Sequence, residues 1–186
     1  MTTQTAAGRV ETEVDAALAD DLAFRRWYER TLPRVYSYLV SRVGDVDLAE
    51  ELAQQTFVAA IDQRRQFDGR SDSVTWLCAI ARHKLADYFR RLDRDDRRHS
   101  RMVVQELRLD RGASAWQGVE QRSAIRAALT TLPPRQRAVL IFVALDGLSV
   151  TEAGRLIGTN SGATQSLLNR ARESFRRAYG REAGDD

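Results

Sequence analysis

The chain has 186 residues, 43% of them hydrophobic and 30% charged, and a formal net charge of +3. That length fits one medium domain or two small ones, each with a core of its own. No apolar run approaches the ~20 residues of a membrane-spanning helix, and the polar, acidic stretch from Met1 to Asp21 lacks the basic-then-apolar order of a secretory leader, so the expectation is a soluble, cytoplasmic protein.

A single cysteine, Cys78, excludes an internal disulfide. His83 and His99 do not complete a usual zinc site with that one thiol, and no cofactor is expected. Cys78 lies in an apolar helical stretch and reads as a small packed residue. Of the 29 basic residues all but Lys84 are arginine. The planar guanidinium suits phosphates and guanine edges, but a GC-rich genome also raises arginine content. Only its placement is therefore informative.

Apolar residues recur at helical spacing almost throughout, and the only prolines are Pro33, Pro133 and Pro134. An all-α protein is predicted. Residues 1–13 are expected to be disordered. A first helix is expected over Val14–Arg30, and Pro33 is expected to open a second that ends at Val43, before Gly44-Asp45. A third covers Asp47–Arg64, with acids in its first turn where the helix dipole favours them. Leu48, Leu52 and Ala59 line one side of it, widened by Phe57, Val58 and Ile61. Glu50, Glu51, Gln54 and Gln55 occupy the rest, as a solvated face or as a docking face for a basic partner.

Gln66–Asp72 reads as a loop, followed by a long helix over Ser73–Asp93. Trp76, Leu77, Ile80 and Leu85 give that helix a packing side. Arg82, His83, Lys84, Arg90 and Arg91 make another side basic, with Tyr88 and Phe89 interleaved. Basic residues beside aromatics suit separated DNA strands, where backbone charge and base stacking are both available. The loop around Gly69 is placed to wall a pocket for an extruded base. The plainer reading is a core Trp76 and solvated arginines. From Arg94 to Gly118 periodicity fails, apart from an apolar island at Met102–Leu109. The expectation is two small helical domains, 14–93 and 119–180, joined by a flexible linker over 94–118 and followed by a tail at 181–186.

In the second domain Ile125, Leu129 and Leu132 line a helix. Pro133-Pro134 restarts the chain as another, carrying Val139, Leu140 and Phe142. Asp146-Gly147 is a turn. Ser149 and Glu152 form a capping box opening a short helix with Ala153, Leu156 and Ile157. Gly158 ends it, and Asn160 caps a last helix reaching Tyr179. Short helix, glycine turn and long arginine-rich helix have the spacing of a helix-turn-helix. Ser161, Thr164, Gln165, Leu168 and Asn169 are the candidate base readers, since Gln and Asn pair bidentately with adenine. Arg170, Arg172, Arg176 and Arg177 would meet phosphates or flank the groove. A plain helical hairpin with a solvated arginine face is the alternative.

Together the two halves resemble extracytoplasmic-function (ECF) sigma factors, group IV of the sigma-70 family, over about residues 22–180. Ala49-Glu50-Glu51-Leu52-Ala53-Gln54-Gln55-Thr56-Phe57 is similar to the polymerase-binding helix of the family's region 2. Phe67, Trp76-Leu77, Ile80-Ala81-Arg82, Asp87 and Arg90-Arg91 are similar to its −10 segment. Leu132-Pro133-Pro134-Arg135-Gln136-Arg137, Leu148-Ser149, Glu152, Gly158 and Arg170-Ala171-Arg172 resemble region 4. The order and spacing of these segments carry the resemblance.

The resemblance implies a protein that binds core RNA polymerase through Glu50, Glu51, Gln54 and Gln55. It implies a −10 non-template strand held by Phe67, Asp68, Gly69, Arg70, Ser71, Arg82, His83, Lys84, Arg90 and Arg91. It implies a −35 duplex read by Ser161, Thr164, Gln165, Leu168, Asn169, Arg170, Arg172 and Arg176. It further implies an anti-sigma partner, often at the membrane, and no small-molecule substrate. The chain departs from the family pattern at Ala163, Gln165 and Leu167, where threonine, lysine and arginine are usual, at Gly154, where alanine is usual, and at His83, where asparagine is frequent. A glycine inside a helix costs roughly 1 kcal/mol unless close packing requires it. The rival reading is a helix-turn-helix regulator binding a palindrome without polymerase. No nucleophile–base pair, phosphate-binding glycine loop or metal cluster argues for an enzyme.

Overall fold

The computed structural model describes residues 12–99 and 117–183. Among the described residues every regular element is helical: α1 (Glu13–Ala17), α2 (Asp21–Val43), α3 (Val46–Asp62), α4 (Ser73–His99), α5 (Gln117–Thr130), α6 (Pro134–Leu140), α7 (Val150–Ile157) and α8 (Ser161–Ala183). A 3-10 turn at Arg64–Gln66 follows α3, and a π-helical turn at Ile141–Leu145 follows α6. The chain divides into two compact units, Met1–Leu85 and Ala86–Asp186. The division falls inside α4, whose 27 residues span roughly 40 Å, more than one small core needs. Most of the predicted linker, and the apolar island within it, lies outside the described residues.

In the first unit the expectation of two helices on either side of Pro33 is corrected. Asp20 caps α2 by accepting bonds from the Leu22 and Ala23 amides, and the helix runs through Pro33 to Gly44, which ends it at φ 73°. An interior proline loses one hydrogen bond and costs roughly 3 kcal/mol. Here Pro33 and the preceding turn at Glu29-Arg30 are exposed, so water satisfies the freed carbonyl. On the opposite side Trp27, Thr31, Val35 and Leu39 are buried at a strict spacing of four, straddling the proline. Their continuous burial, worth about 1.5–3 kcal/mol for each large apolar side chain, outweighs the local penalty. The short α1 is closed by a Thr12/Asp15 capping box, so Thr12 and Glu13, expected to be disordered, are in place.

Helix α3 packs on α2 with Ala49, Leu52, Ala53, Thr56, Phe57, Ala59 and Ala60 buried. The alanines let the two helices approach closely. Phe57 meets Trp27 edge-on at 5.5 Å and Tyr28 at 4.6 Å between ring centroids. Trp27 also donates its indole N–H to the buried Ser73 hydroxyl at 3.2 Å, which ties the start of α4 to α2.

In the second unit α8 packs against α5, α6 and α7. Leu129, Leu132, Val139, Ile141, Phe142, Ile157 and Leu168 fill the interior. Ile125, expected on the packing side of α5, is 38% exposed. The π turn bonds the Asp146 amide to the Ile141 carbonyl and keeps both Ile141 and Phe142 inside. Arg137 donates to the Thr130 and Leu132 carbonyls at 2.6 and 3.4 Å, closing the end of α5. Burial pulls its guanidinium pKa down from the ordinary arginine value.

Candidate nucleic-acid interface

Three exposed regions carry the residues singled out from the sequence. The first is the outward side of α3. Asp45 caps it by accepting from the Leu48 amide at 2.9 Å. At about 100° per residue, Glu51, Gln55 and Val58 lie within about 40° of one line, with Gln54 beside it and Glu50 further round. Glu50, Glu51 and Gln54 are exposed and Gln55 is half-buried, its amide donating to Glu51 at 2.8 Å. Val58, expected in the packing face, is instead 61% exposed. It stands seven residues from Glu51 and four from Gln54, a spacing that already points it outward. The face is thus an acid and two amides around an exposed apolar side chain.

The second region is the loop before α4 and the helix itself. Phe67, expected to contact the −10 strand, is 2% exposed and packs on Trp76 at 5.0 Å. It anchors the loop from beneath and leaves Asp68, Gly69, Arg70 and Ser71 at the surface. Trp76 is half-buried rather than fully in the core. Gly69 has φ +74°, a conformation other side chains rarely adopt. Asp68 accepts from the Arg70 amide at 3.0 Å and pairs with the Arg70 guanidinium at 3.3 Å.

Asp72, which sequence reasoning passed over, caps α4. It accepts from the amides of Val74 and Thr75 at 2.9 and 3.0 Å and from the Thr75 hydroxyl at 2.6 Å. The Thr75 hydroxyl, and then these amides, hold its carboxyl below the usual carboxylate range. The signal was available, since an aspartate immediately before a helical run is a preferred cap.

Along α4 the predicted basic set separates. Arg82, His83 and Lys84 are consecutive, and consecutive helical residues do not share a face. His83, Arg90 and Arg91 are exposed along one side, whereas Arg82 and Lys84 are half-buried on either flank. Arg90 pairs with Asp87 one turn away. Phe89, expected among the stacking aromatics, is 1% exposed and belongs to the core. Tyr88 alone of that pair keeps partial access.

The third region is the helix-turn-helix of α7 and α8. Ser149 and Glu152 make the expected capping box, Ser149 N–H to Glu152 at 2.8 Å and Glu152 N–H to the Ser149 hydroxyl at 3.2 Å. Gly158 takes φ +71° between the helices. Asn160 accepts from the Ala163 amide at 2.9 Å. Two of the predicted readers are corrected. Thr164 is 0% and Leu168 2% exposed. Both belong to the buried stripe of α8 that includes Ala171 and Ala178, so neither reaches a base edge without unpacking the unit.

The same stripe explains Gly154. A Cβ there would lie 2.5 Å from the Thr164 hydroxyl oxygen and 3.1 Å from the Thr159 carbonyl oxygen. The Thr164 hydroxyl donates to the Asn160 carbonyl at 2.7 Å. Thr164 therefore occupies the space that an alanine at 154 would use.

About 100° around the helix from the centre of the stripe, Ser161, Gln165, Asn169, Arg172 and Arg176 are exposed and fall within about 40° of one line. Gln165 donates to Asn169 at 3.2 Å, so each has an amide group left for a base. Arg170 and Arg177 lie about 120–140° away from Gln165. They stand off the line of the candidate base readers, on a flank of the helix.

Two family models match in the order of these regions: Sigma-70 region 2 over residues 27–95 and Sigma-70, region 4 over residues 122–175. The chain belongs to the ECF sigma factors of the sigma-70 family. It is 32% identical to ECF RNA polymerase sigma factor SigC of Mycobacterium tuberculosis, covering 87% of this chain and 86% of that protein. It is likewise 32% identical to SigF of Caulobacter vibrioides, over 87% and 90%. The sigma factor RpoE of Bartonella quintana, solved in complex with the anti-sigma factor NepR, shares the fold at a TM-score of 0.50 and 22% identity, over 83% of this chain and 95% of that one. As a sigma factor, this chain binds core RNA polymerase and promoter DNA to initiate transcription. No described helix is long and apolar enough to cross a membrane.

Proposed function

We propose that this sigma factor works as three contact faces without catalysis of its own. The outward side of α3, through Glu50, Glu51, Gln54, Gln55 and Val58, docks on core polymerase. The tip Asp68-Gly69-Arg70-Ser71, with His83, Arg90, Arg91 and the flanking Arg82 and Lys84, holds the −10 non-template strand. The α8 line reads the −35 duplex, with Gln165 and Asn169 on base edges and Ser161, Arg172 and Arg176 on phosphates. Melting follows from binding. A base held in the loop offsets the few kcal/mol needed to unstack it. The sigma factor acts in the cytoplasm, without metal or cofactor, and is held inactive by an anti-sigma protein, at the membrane when that partner is anchored there. That the Bartonella sigma factor RpoE was solved in complex with an anti-sigma factor supports a partner of that kind.

The observation carrying the −35 assignment is the division of α8 into a buried stripe and an exposed line of two amides, a serine and two arginines. The line carries Gln165 where a lysine is usual in the family, which favours adenine contacts over guanine contacts there. Transcription in vitro with core polymerase on a randomised promoter library tests the whole reading. Transcripts should start only downstream of paired −35 and −10 elements. Tight binding to a palindromic duplex without polymerase, and no transcript with it, would establish the rival regulator instead.

A further inference from the structure

Helix α8 carries a second arginine line that the DNA-reading line does not use. Arg177 and Arg181 are one turn apart and exposed, and they lie roughly 120–160° around the helix from Gln165. They are also 12 and 16 residues further along, or about 18–24 Å, beyond the ~12 Å width of a major groove. They therefore face away from the side of α8 that carries the base readers.

These two arginines open on a cleft of about 250 Å³, lined by Thr131, Leu132, Pro133, Ser174, Arg177 and Arg181. Among the described residues the lining holds two guanidiniums and two hydroxyls and no acid, and the Thr131 hydroxyl already donates to the Ala128 carbonyl at 2.8 Å. Among the described residues neither arginine forms an ion pair. The turn Leu132-Pro133 supplies an apolar wall. Drug-sized ligands are buried in closed pockets of about 300–1,000 Å³, and this cleft is smaller and open on one side. It fits the tip of one or two side chains whose parent surface covers the rest.

We propose that this cleft is a docking site for an acidic segment of a protein partner, with aspartate or glutamate carboxylates held bidentately by Arg177 and Arg181 and capped by the Ser174 hydroxyl. Charge complementarity selects the carboxylates, and the Leu132-Pro133 wall favours a peptide over a bare ion. The site leaves α8 free to hold DNA by its other line, so the partner and the −35 duplex bind together. It rests on the −35 reading only through the control variant below.

The test uses the full chain, a fluorescein-labelled hexaglutamate peptide and a −35 duplex, followed by anisotropy. Arg177→Gln with Arg181→Gln should weaken the peptide about ten-fold and leave the duplex within about two-fold, as expected of separate sites. Arg172→Gln with Arg176→Gln should do the reverse. Ser174→Ala, which leaves all charge in place, should still weaken the peptide about three-fold. Equal peptide loss in both arginine pairs, or none in Ser174→Ala, would reduce the cleft to general polyanion attraction and overturn the proposal. Displacement of the peptide by pyrophosphate at equal concentration would also overturn it, in favour of a phosphate ligand. Should the 172/176 pair leave the duplex unaffected, the −35 reading fails while the peptide result stands by itself.

Discussion

Replacing Gly154 by alanine should destabilise this protein, although alanine is the better helix former. In an open helix the exchange gains about 1 kcal/mol. Here the new methyl would stand 2.5 Å from the Thr164 hydroxyl oxygen and 3.1 Å from the Thr159 carbonyl oxygen. Overpacking of this kind costs about 1–3 kcal/mol. Moving the hydroxyl aside also breaks its 2.7 Å bond to the Asn160 carbonyl, a further ~1 kcal/mol. The net expectation is a loss of about 1–3 kcal/mol, or about 4–8 °C in Tm per kcal/mol for a unit of this size.

Thermal and urea denaturation of Gly154→Ala, Thr164→Ala and the double variant make the test a closed cycle. With Thr164 cut back to its Cβ, the two Cβ atoms would lie 3.5 Å apart, an ordinary contact. The double variant should therefore be more stable than the summed single effects by about 1–2 kcal/mol. The Asn160 carbonyl keeps its bond from the Thr164 amide, so truncation leaves no orphan acceptor. Strict additivity, or a Gly154→Ala protein more stable than the parent, would refute the packing argument. Because Gly154 sets how closely α7 meets α8, the single variant should also lose −35 affinity beyond what its stability accounts for.

Other outcomes follow from the surfaces. Glu51→Arg with Gln54→Arg should weaken core polymerase binding by about 1–3 kcal/mol in a pull-down or anisotropy titration, with Tm within about 1 °C because both side chains are exposed. Gln165→Ala should alter −35 preference in a promoter-library readout by about 1–3 kcal/mol at one position. Arg176→Ala should weaken all promoters alike and reduce the salt dependence by about one counterion. For Asp72, the folded pKa lies below 3.8. Its stabilising contribution is therefore full above the unfolded pKa and is lost as pH falls through the folded value. The Tm difference between the parent and Asp72→Asn should accordingly shrink below about pH 4, and a constant gap down to pH 2 would remove the carboxylate from the cap.

Much of the architecture was legible because it depends on local rules. The Ser149/Glu152 box and the Asn160 cap are set by side chains bonding amides within three residues, and Gly44 and Gly158 end their helices because glycine takes positive φ cheaply. Hydrophobic periodicity located the helices for the same reason. Site residues were less legible, because a helix has two or three candidate faces and periodicity alone does not say which one meets a neighbour. Val58 was placed inward and lies outward. Thr164 and Leu168 were placed outward and lie in the core.

The amino-acid order by itself determined an all-helical chain with a capped helix-turn-helix, since caps, turns and helical spacing are short-range and survive in any context; the sigma family entered as a resemblance of its motifs. Only the tertiary structure decided that α2 runs through Pro33, that Phe67 lies beneath its loop, and that Gly154 is required by Thr164. Each of these depends on atoms brought together from distant turns or separate helices. There, the free energy of burial and the excluded volume of a neighbour outweigh local preference.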